Sequence, residues 1–260
     1  MEKKTNKSSF IKHNGQIIPK PEGLDYSLVN SKVYSLVYDR EVGGNYLIED
    51  KDFDFPTTYY LDDKDNKFIS RTINTFQNTT KMTTGILLSG LKGSGKTLMA
   101  KKIAKESGLP IIVIDPKVCA DEIEGFFQNI DTEVCIIFDE IDKYWNTKYL
   151  LSFFDGVKPT CKKIVICTCN DEKEINNYLN DRCSRIRYKK TFSCLTKDAV
   201  LGILTDMISD KEKAKSATEF ICNAIRIISY DNIVIFGEEL KNNPDESYES
   251  ILADMNIEKR

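Results

Sequence analysis

Between residues 84 and 97 the apolar run Thr84-Gly85-Ile86-Leu87-Leu88-Ser89 turns through Gly90-Leu91-Lys92-Gly93-Ser94-Gly95 and enters Lys96-Thr97-Leu98 and a stretch of good helix formers. A strand, a glycine loop and a helix in that order make a phosphate-binding loop. Gly90, Gly93 and Gly95 can take backbone conformations that a Cβ disfavours, so that successive N–H groups turn toward an anion. The helix starting at the loop adds its positive end. In this pattern Lys96 reaches the β- and γ-phosphates and the Thr97 hydroxyl holds Mg²⁺. Gly90, Leu91, Lys92, Gly93, Ser94, Gly95, Lys96, Thr97 and Leu98 are therefore the candidate nucleotide-binding set.

Composition narrows what the loop serves. With 260 residues and 41% hydrophobic content, the chain can bury one large or two modest cores. Charged residues make up 30% but nearly cancel, at a net of −3. That balance argues against a protein held chiefly by nucleic acid phosphates, although Lys162-Lys163 and Lys189-Lys190 leave room for a local patch. No apolar run is long enough to span a bilayer, and the Lys-rich start lacks the apolar stretch of a secretory signal. The expectation is a soluble cytoplasmic protein without a membrane contact. The eight cysteines are scattered with no C-x-x-C pair, and His13 is the one histidine. They read as small buried hydrophobes rather than a zinc site or a disulfide framework.

Residues 1 to about 20 are polar and Lys/Asn/Ser-rich and read as a mobile lead-in. Alternation at 33–38, glycines at 43 and 44, and a second apolar run at 45–48 read as a β-hairpin, either packed on the core or docking a partner. A short extended piece at 53–60 follows. Phe68, Ile69, Ile73 and Phe76 share one face of a helix before the loop strand. Continuous apolar runs at 111–115, 134–138 and 163–168 read as strands of a parallel sheet, buried on both faces. Helices are expected near 120–129 and 146–154, and a last short strand at 185–188. Beyond Leu195 the spacing turns helical: Val200, Ile203, Leu204 and Met207 form one stripe, and Phe220, Ile221, Ala224 and Ile225 another. A third helix, capped by Asp231 or Asn232, runs to Leu240, and a fourth follows Pro244 to near Ile257.

Chemistry concentrates at strand ends. Asp139 and Glu140 follow the run 134–138, where phosphate and metal would lie if that strand neighbours the loop strand. Asp139 suits the Mg²⁺ carboxylate and Glu140 the base that polarises water; Asp142 and Lys143 read as a polar turn. Asn170, after the run 163–168, can donate its amide to a γ-phosphate oxygen or orient the water. Arg182, Arg185 and Arg187 cluster further on, where an arginine at a subunit edge could reach a neighbour's phosphate.

Taken together, residues 85–97, 135–142, 150–157, 168–171 and 179–188 resemble, in order, the motifs of the AAA-type branch of the AAA+ ATPases, in a compact form similar to those of large bacteriophages. The resemblance implies a three-layer α/β P-loop core over 63–192, a small all-helical lid over 193–260 and an N-terminal β-hairpin extension over 1–62. It implies Lys96 and Thr97 as the Walker A pair, Asp139 and Glu140 as the Walker B pair, Asn170 as the sensor and Arg185, with Arg182, as the arginine finger. Cys183-Ser184 stands where the family has Pro-Gly, and Tyr188 where a second arginine is common. No arginine occupies the second-sensor place, as is usual in this branch, and no aromatic-apolar-Gly pore loop follows the strand at 111–115; Phe126-Phe127 read as core. The expected function is Mg²⁺-dependent ATP hydrolysis by a homo-oligomer, a hexamer by resemblance. ATP would lie between core and lid, and turnover would remodel a partner protein. The alternative is an ATP-controlled loader or switch on a nucleic-acid-bound complex.

Overall fold

The computed structural model describes residues 10–13, 16–19, 26–39, 44–55, 63–80, 83–118, 120–128, 130–144, 150–155 and 161–260. They divide into two compact units, the first built from 1–53, 66–89 and 97–190, the second from 54–65, 90–96 and 191–260.

The first unit is organised on a mixed sheet. Its strands are β1 Phe10–His13, β2 Gln16–Pro19, β3 Val33–Asp39, β4 Gly44–Glu49, β5 Thr83–Gly90, β6 Ile111–Ile114, β7 Val134–Phe138, β8 Lys163–Cys169 and β9 Tyr188–Phe192. They lie in the order β1-β2-β4-β3-β6-β7-β8-β5-β9. β3, β6, β7, β8 and β5 pair in parallel. Every residue of β7 and β8 is buried, as strands covered on both faces require. The helices between them are α1 Asp63–Asn78, α2 Lys96–Ser107, α3 Ala120–Phe127, α4 Ile141–Tyr144, α5 Leu150–Asp155 and α6 Asn177–Asn180. Met99, Ala100, Ile103 and Ala104 form the fully buried stripe of α2, at the spacing of one helix face.

Three expectations for this unit change. The lead-in contributes β1 and β2, which pair with each other and join the hairpin through β2 and β4. Phe10 and Ile17 are fully buried there, so short strands in a polar context are secured by two apolar anchors. The hairpin β3–β4 is likewise no separate extension, because β3 pairs in parallel with β6 and continues the main sheet. The last strand begins at Tyr188 rather than Arg185, the preceding residues being held as a turn by the bonds from the Arg185 and Ile186 amides to the Arg182 carbonyl. The extended piece at 53–60 and the helix start at 146 fall largely outside the described residues. Cys135, Cys161, Cys167 and Cys169 are buried, but Cys183 and Cys194 are exposed, so the buried-hydrophobe reading fails for those two. Cys119 lies outside the described residues.

The second unit contains α7 Lys197–Met207, α8 Lys211–Ala224, α9 Tyr230–Asn242 and α10 Tyr248–Asp254. Thr196, Asp210, Ser229 and Ser247 cap them in turn, each side-chain oxygen accepting a first-turn N–H. The third cap is therefore Ser229, not Asp231 or Asn232, and the fourth helix starts after Ser247, well beyond Pro244. Val200, Ile203, Leu204, Ile221, Ile233 and Phe236 supply the buried stripe of this helical part. Among the described residues no helix is long and apolar enough to cross a membrane.

Candidate active site

The loop after β5 takes the shape its glycines allow. Gly90, Gly93 and Gly95 have φ of +119°, +71° and +93°, where a side chain would strain the backbone. Gly90 is also fixed by proximity, since a Cβ there would lie 2.0 Å from the Phe192 carbonyl oxygen, which accepts the Leu91 amide. The Ser94 hydroxyl donates to the Leu91 carbonyl at 2.6 Å and closes the turn. Lys96 is buried, and its ammonium donates to the carbonyl oxygens of Gly90 at 2.8 Å and Leu91 at 2.7 Å. Lys92 is exposed, and Leu98 is half-buried in the first turn of α2.

The carboxylates at the end of β7 are organised across an intervening strand. β8 lies between β7 and β5, so the Asp139 strand is one strand removed from the loop strand. Thr168 of β8 spans the gap. Its hydroxyl donates to Asp139 Oδ1 at 2.6 Å and accepts the Glu140 amide at 2.8 Å, while the side chain is fully buried. The Thr97 hydroxyl donates to the same Asp139 Oδ1 at 3.0 Å. A hydroxyl and a carboxylate converging in this way form the oxygen-rich donor set that Mg²⁺ takes.

Glu140 has a φ of +50°, a left-handed conformation uncommon for a residue with a Cβ. Its carboxylate accepts the Asn170 side-chain amide at 3.1 Å and the Lys143 ammonium at 2.7 Å. Asp142 fixes the other end of Asn170: Oδ2 accepts the backbone amides of Asn170 at 2.9 Å and Asp171 at 3.1 Å. Its second oxygen, Oδ1, is buried with no hydrogen-bond partner among the described residues. Thr97, Asp139, Glu140 and Asn170 thus meet in one hydrogen-bonded row with Thr168.

The arginines differ from one another. Arg185 is 6% exposed, its guanidinium donating to the Tyr178 carbonyl oxygen. Its own carbonyl lies where a Cβ on Gly85 would stand, at 1.8 Å, so the glycine in β5 is what lets this turn approach. Arg182 is exposed; Arg187 is exposed and donates to Thr79 Oγ1 at 3.3 Å. The finger expected of Arg185 is thus turned inward in this chain.

Four polar residues carry more than their sequence context suggested. Thr168 is a buried hydroxyl that follows the apolar run 164–167 of β8, a signal the sequence offers. Asp142 and Lys143, read as turn polarity, bind Asn170 and Glu140. Asp231, read as a helix cap, instead lies in the first turn of α9 with its amide donating to the Gly93 carbonyl at 3.0 Å. Although the residue is exposed, partial desolvation pushes its carboxyl pKa up, while Lys96 and Lys92 draw it back down.

Residues 86–191 match the model of the family described as ATPase family associated with various cellular activities (AAA). An ATP-dependent zinc metalloprotease FtsH of Ralstonia pickettii (strain 12J) is 36% identical over 80 residues, 27% of this chain and 11% of that protein. An outer mitochondrial transmembrane helix translocase of Xenopus tropicalis is 25% identical over 145 residues, 46% of this chain and 40% of that protein. The chain therefore spans well under half the length of these curated relatives. A solved RuvB mutant of Thermotoga maritima shares the fold at a TM-score of 0.59 and 13% identity, over 75% of this chain and 69% of that one. With its glycine loop, its Asp139-Glu140 strand end and Asn170 in the family's order, the segment 86–191 is an AAA+ ATPase domain.

Proposed function

We propose that this chain hydrolyses ATP with Mg²⁺ as a homo-oligomer and spends the energy remodelling a partner protein. The observation that carries the reading is the row Thr97–Asp139–Thr168–Glu140–Asn170, which sets a metal-type oxygen pair beside a base and an amide donor. The loop amides and Lys96 hold the phosphate charge. Thr97 and Asp139 would hold Mg²⁺, which when bound neutralises charge on the phosphate oxygens. Glu140 takes the proton of the attacking water, and Asn170 fixes the carboxylate that does so. Because Lys143 competes for the same carboxylate oxygen, release of that ion pair makes Glu140 a stronger base.

The finger role falls to Arg182, which is exposed, while Arg185 anchors the turn beneath it through Tyr178. A partner protein rather than nucleic acid is favoured by the near-neutral charge and by the two relatives, which by name are an ATP-dependent protease and a helix translocase.

The test is the ATPase rate per subunit across a wide range of protein concentration. A shared site gives a rate that rises with concentration and collapses in Arg182→Ala. A rate independent of concentration, with Arg182→Ala at wild-type activity, removes the oligomeric mechanism. Salt-sensitive DNA binding that appears only with ATP would move the reading to a nucleic-acid loader.

A further inference from the structure

Acidic residues in the first turn of a helix are commonplace, because they complement the helix dipole. Asp198, Glu212 and Glu249 hold such places in α7, α8 and α10. Asp231 of α9 differs in what it faces. Its backbone amide donates to the Gly93 carbonyl at 3.0 Å, which ties the first turn of α9 to the middle glycine of the phosphate loop. Its carboxylate oxygen Oδ2 lies 2.8 Å from where a Cβ on Gly93 would stand. Gly93 has a φ of +71°, a conformation that favours glycine, and the bare glycine leaves room for this carboxylate to approach. The two lysines of the loop, Lys96 and Lys92, act electrostatically on this carboxylate, and Asp231 is not the cap of its helix, since Ser229 does that work. The carboxylate is thus not needed to start the helix, and it stands at a loop whose amides and lysines suit anions.

We propose that Asp231 is a built-in counter-ion of the phosphate loop, which a nucleoside polyphosphate must work against, so that its charge sets nucleotide affinity and limits nucleotide retention. The inference rests on the nucleotide reading of the loop given above. It follows from like-charge repulsion. A carboxylate within several ångströms of a bound polyphosphate opposes it, and for a solvent-exposed carboxylate the effect on the dissociation constant is about three- to tenfold. A residue that served only to dock α9 would act through its backbone amide, which substitution of the side chain leaves in place.

The experiment is calorimetric titration of ADP into wild type, Asp231→Asn and Lys96→Ala at low and high salt, with thermal melts to establish that each is folded. Asp231→Asn is expected to bind ADP about three- to tenfold more tightly at low salt, with the gain shrinking at high salt as the charges are screened. Release of a fluorescent ADP analogue should slow to match. Asp231→Ser, which also lacks the charge, should shift affinity in the same direction and serves if the Asn variant is unstable. Equal or weaker ADP binding by both neutral variants, with wild type binding and Lys96→Ala not binding, would overturn the role of Asp231 while leaving the nucleotide site standing. Absence of ADP binding by wild type and neutral variants alike would overturn the nucleotide reading, and this inference with it.

Discussion

Thr168→Val removes one hydroxyl and keeps the shape, which isolates the part of the site that spans β8. The lost donor contacts a carboxylate at 2.6 Å, a charge-assisted bond worth about 1.5–3 kcal/mol. The Glu140 amide simultaneously loses its acceptor, at a cost of about 1–3 kcal/mol for a donor left unpaired. The added methyl returns about 0.8 kcal/mol of burial at a fully buried position. The expected net loss is about 2–5 kcal/mol, or about 4–20 °C in Tm for a domain of this size. Because Asp139 and Glu140 both lose their fixed positions, ATP turnover should fall about 100-fold. Thr168→Ser keeps both bonds and should lose only about 1 kcal/mol. Thermal melts and steady-state ATPase assays on the two variants decide the matter. If Thr168→Val behaves like Thr168→Ser in both, the hydroxyl does not organise the carboxylates and the reasoning fails.

Gly85→Ala should destabilise by about 3 kcal/mol or more, since its Cβ would meet the Arg185 carbonyl at 1.8 Å, whereas Gly125→Ala in α3, with open space, should be neutral or slightly stabilising; chemical denaturation compares them. Lys143→Ala should raise kcat severalfold while leaving KM for ATP nearly unchanged, because it frees the Glu140 carboxylate without touching the phosphate loop. Lys163 is 7% exposed, and desolvation lowers its pKa. The folded state therefore disfavours its charge, and stability rises as pH climbs from the lowered folded value toward the ordinary lysine value. Lys163→Met, despite losing the contact of the ammonium 4.2 Å over the Phe153 ring, should raise Tm at neutral pH, with the gain shrinking toward pH ~10, followed by melts across pH.

The parts of this molecule legible in the sequence are those encoded by neighbours along the chain. Three glycines before Lys96-Thr97 dictate a loop of positive φ, and the runs 134–138 and 164–167 are apolar throughout because both faces are covered. Sheet order is not local. Nothing in residues 134–138 says that β8 stands between them and β5, so the bridging role of Thr168 is not local, although its place after the apolar run 164–167 is. Arg185 shows the same limit. Its motif position suggested an outward finger, but the absent side chain of Gly85, a hundred residues earlier, lets its turn sink against β5 and bury the guanidinium. β1 and β2 are not legible in the sequence because Phe10 and Ile17 are isolated apolar residues in polar surroundings, and only the sheet edge they complete makes them core. Ser229 rather than Asp231 caps α9, a choice between adjacent residues that composition alone does not make.

The most direct test compares wild type with Glu140→Gln for ATP binding and turnover at saturating MgATP. Glutamine keeps the shape and an acceptor oxygen but cannot take a proton from water. The account predicts that wild type hydrolyses ATP, and that Glu140→Gln binds ATP at least as tightly yet turns it over ~100-fold or more slower. Turnover at the wild-type rate in Glu140→Gln would contradict the assignment of Glu140 as the base, and with it the chemistry built on the Thr168 bridge.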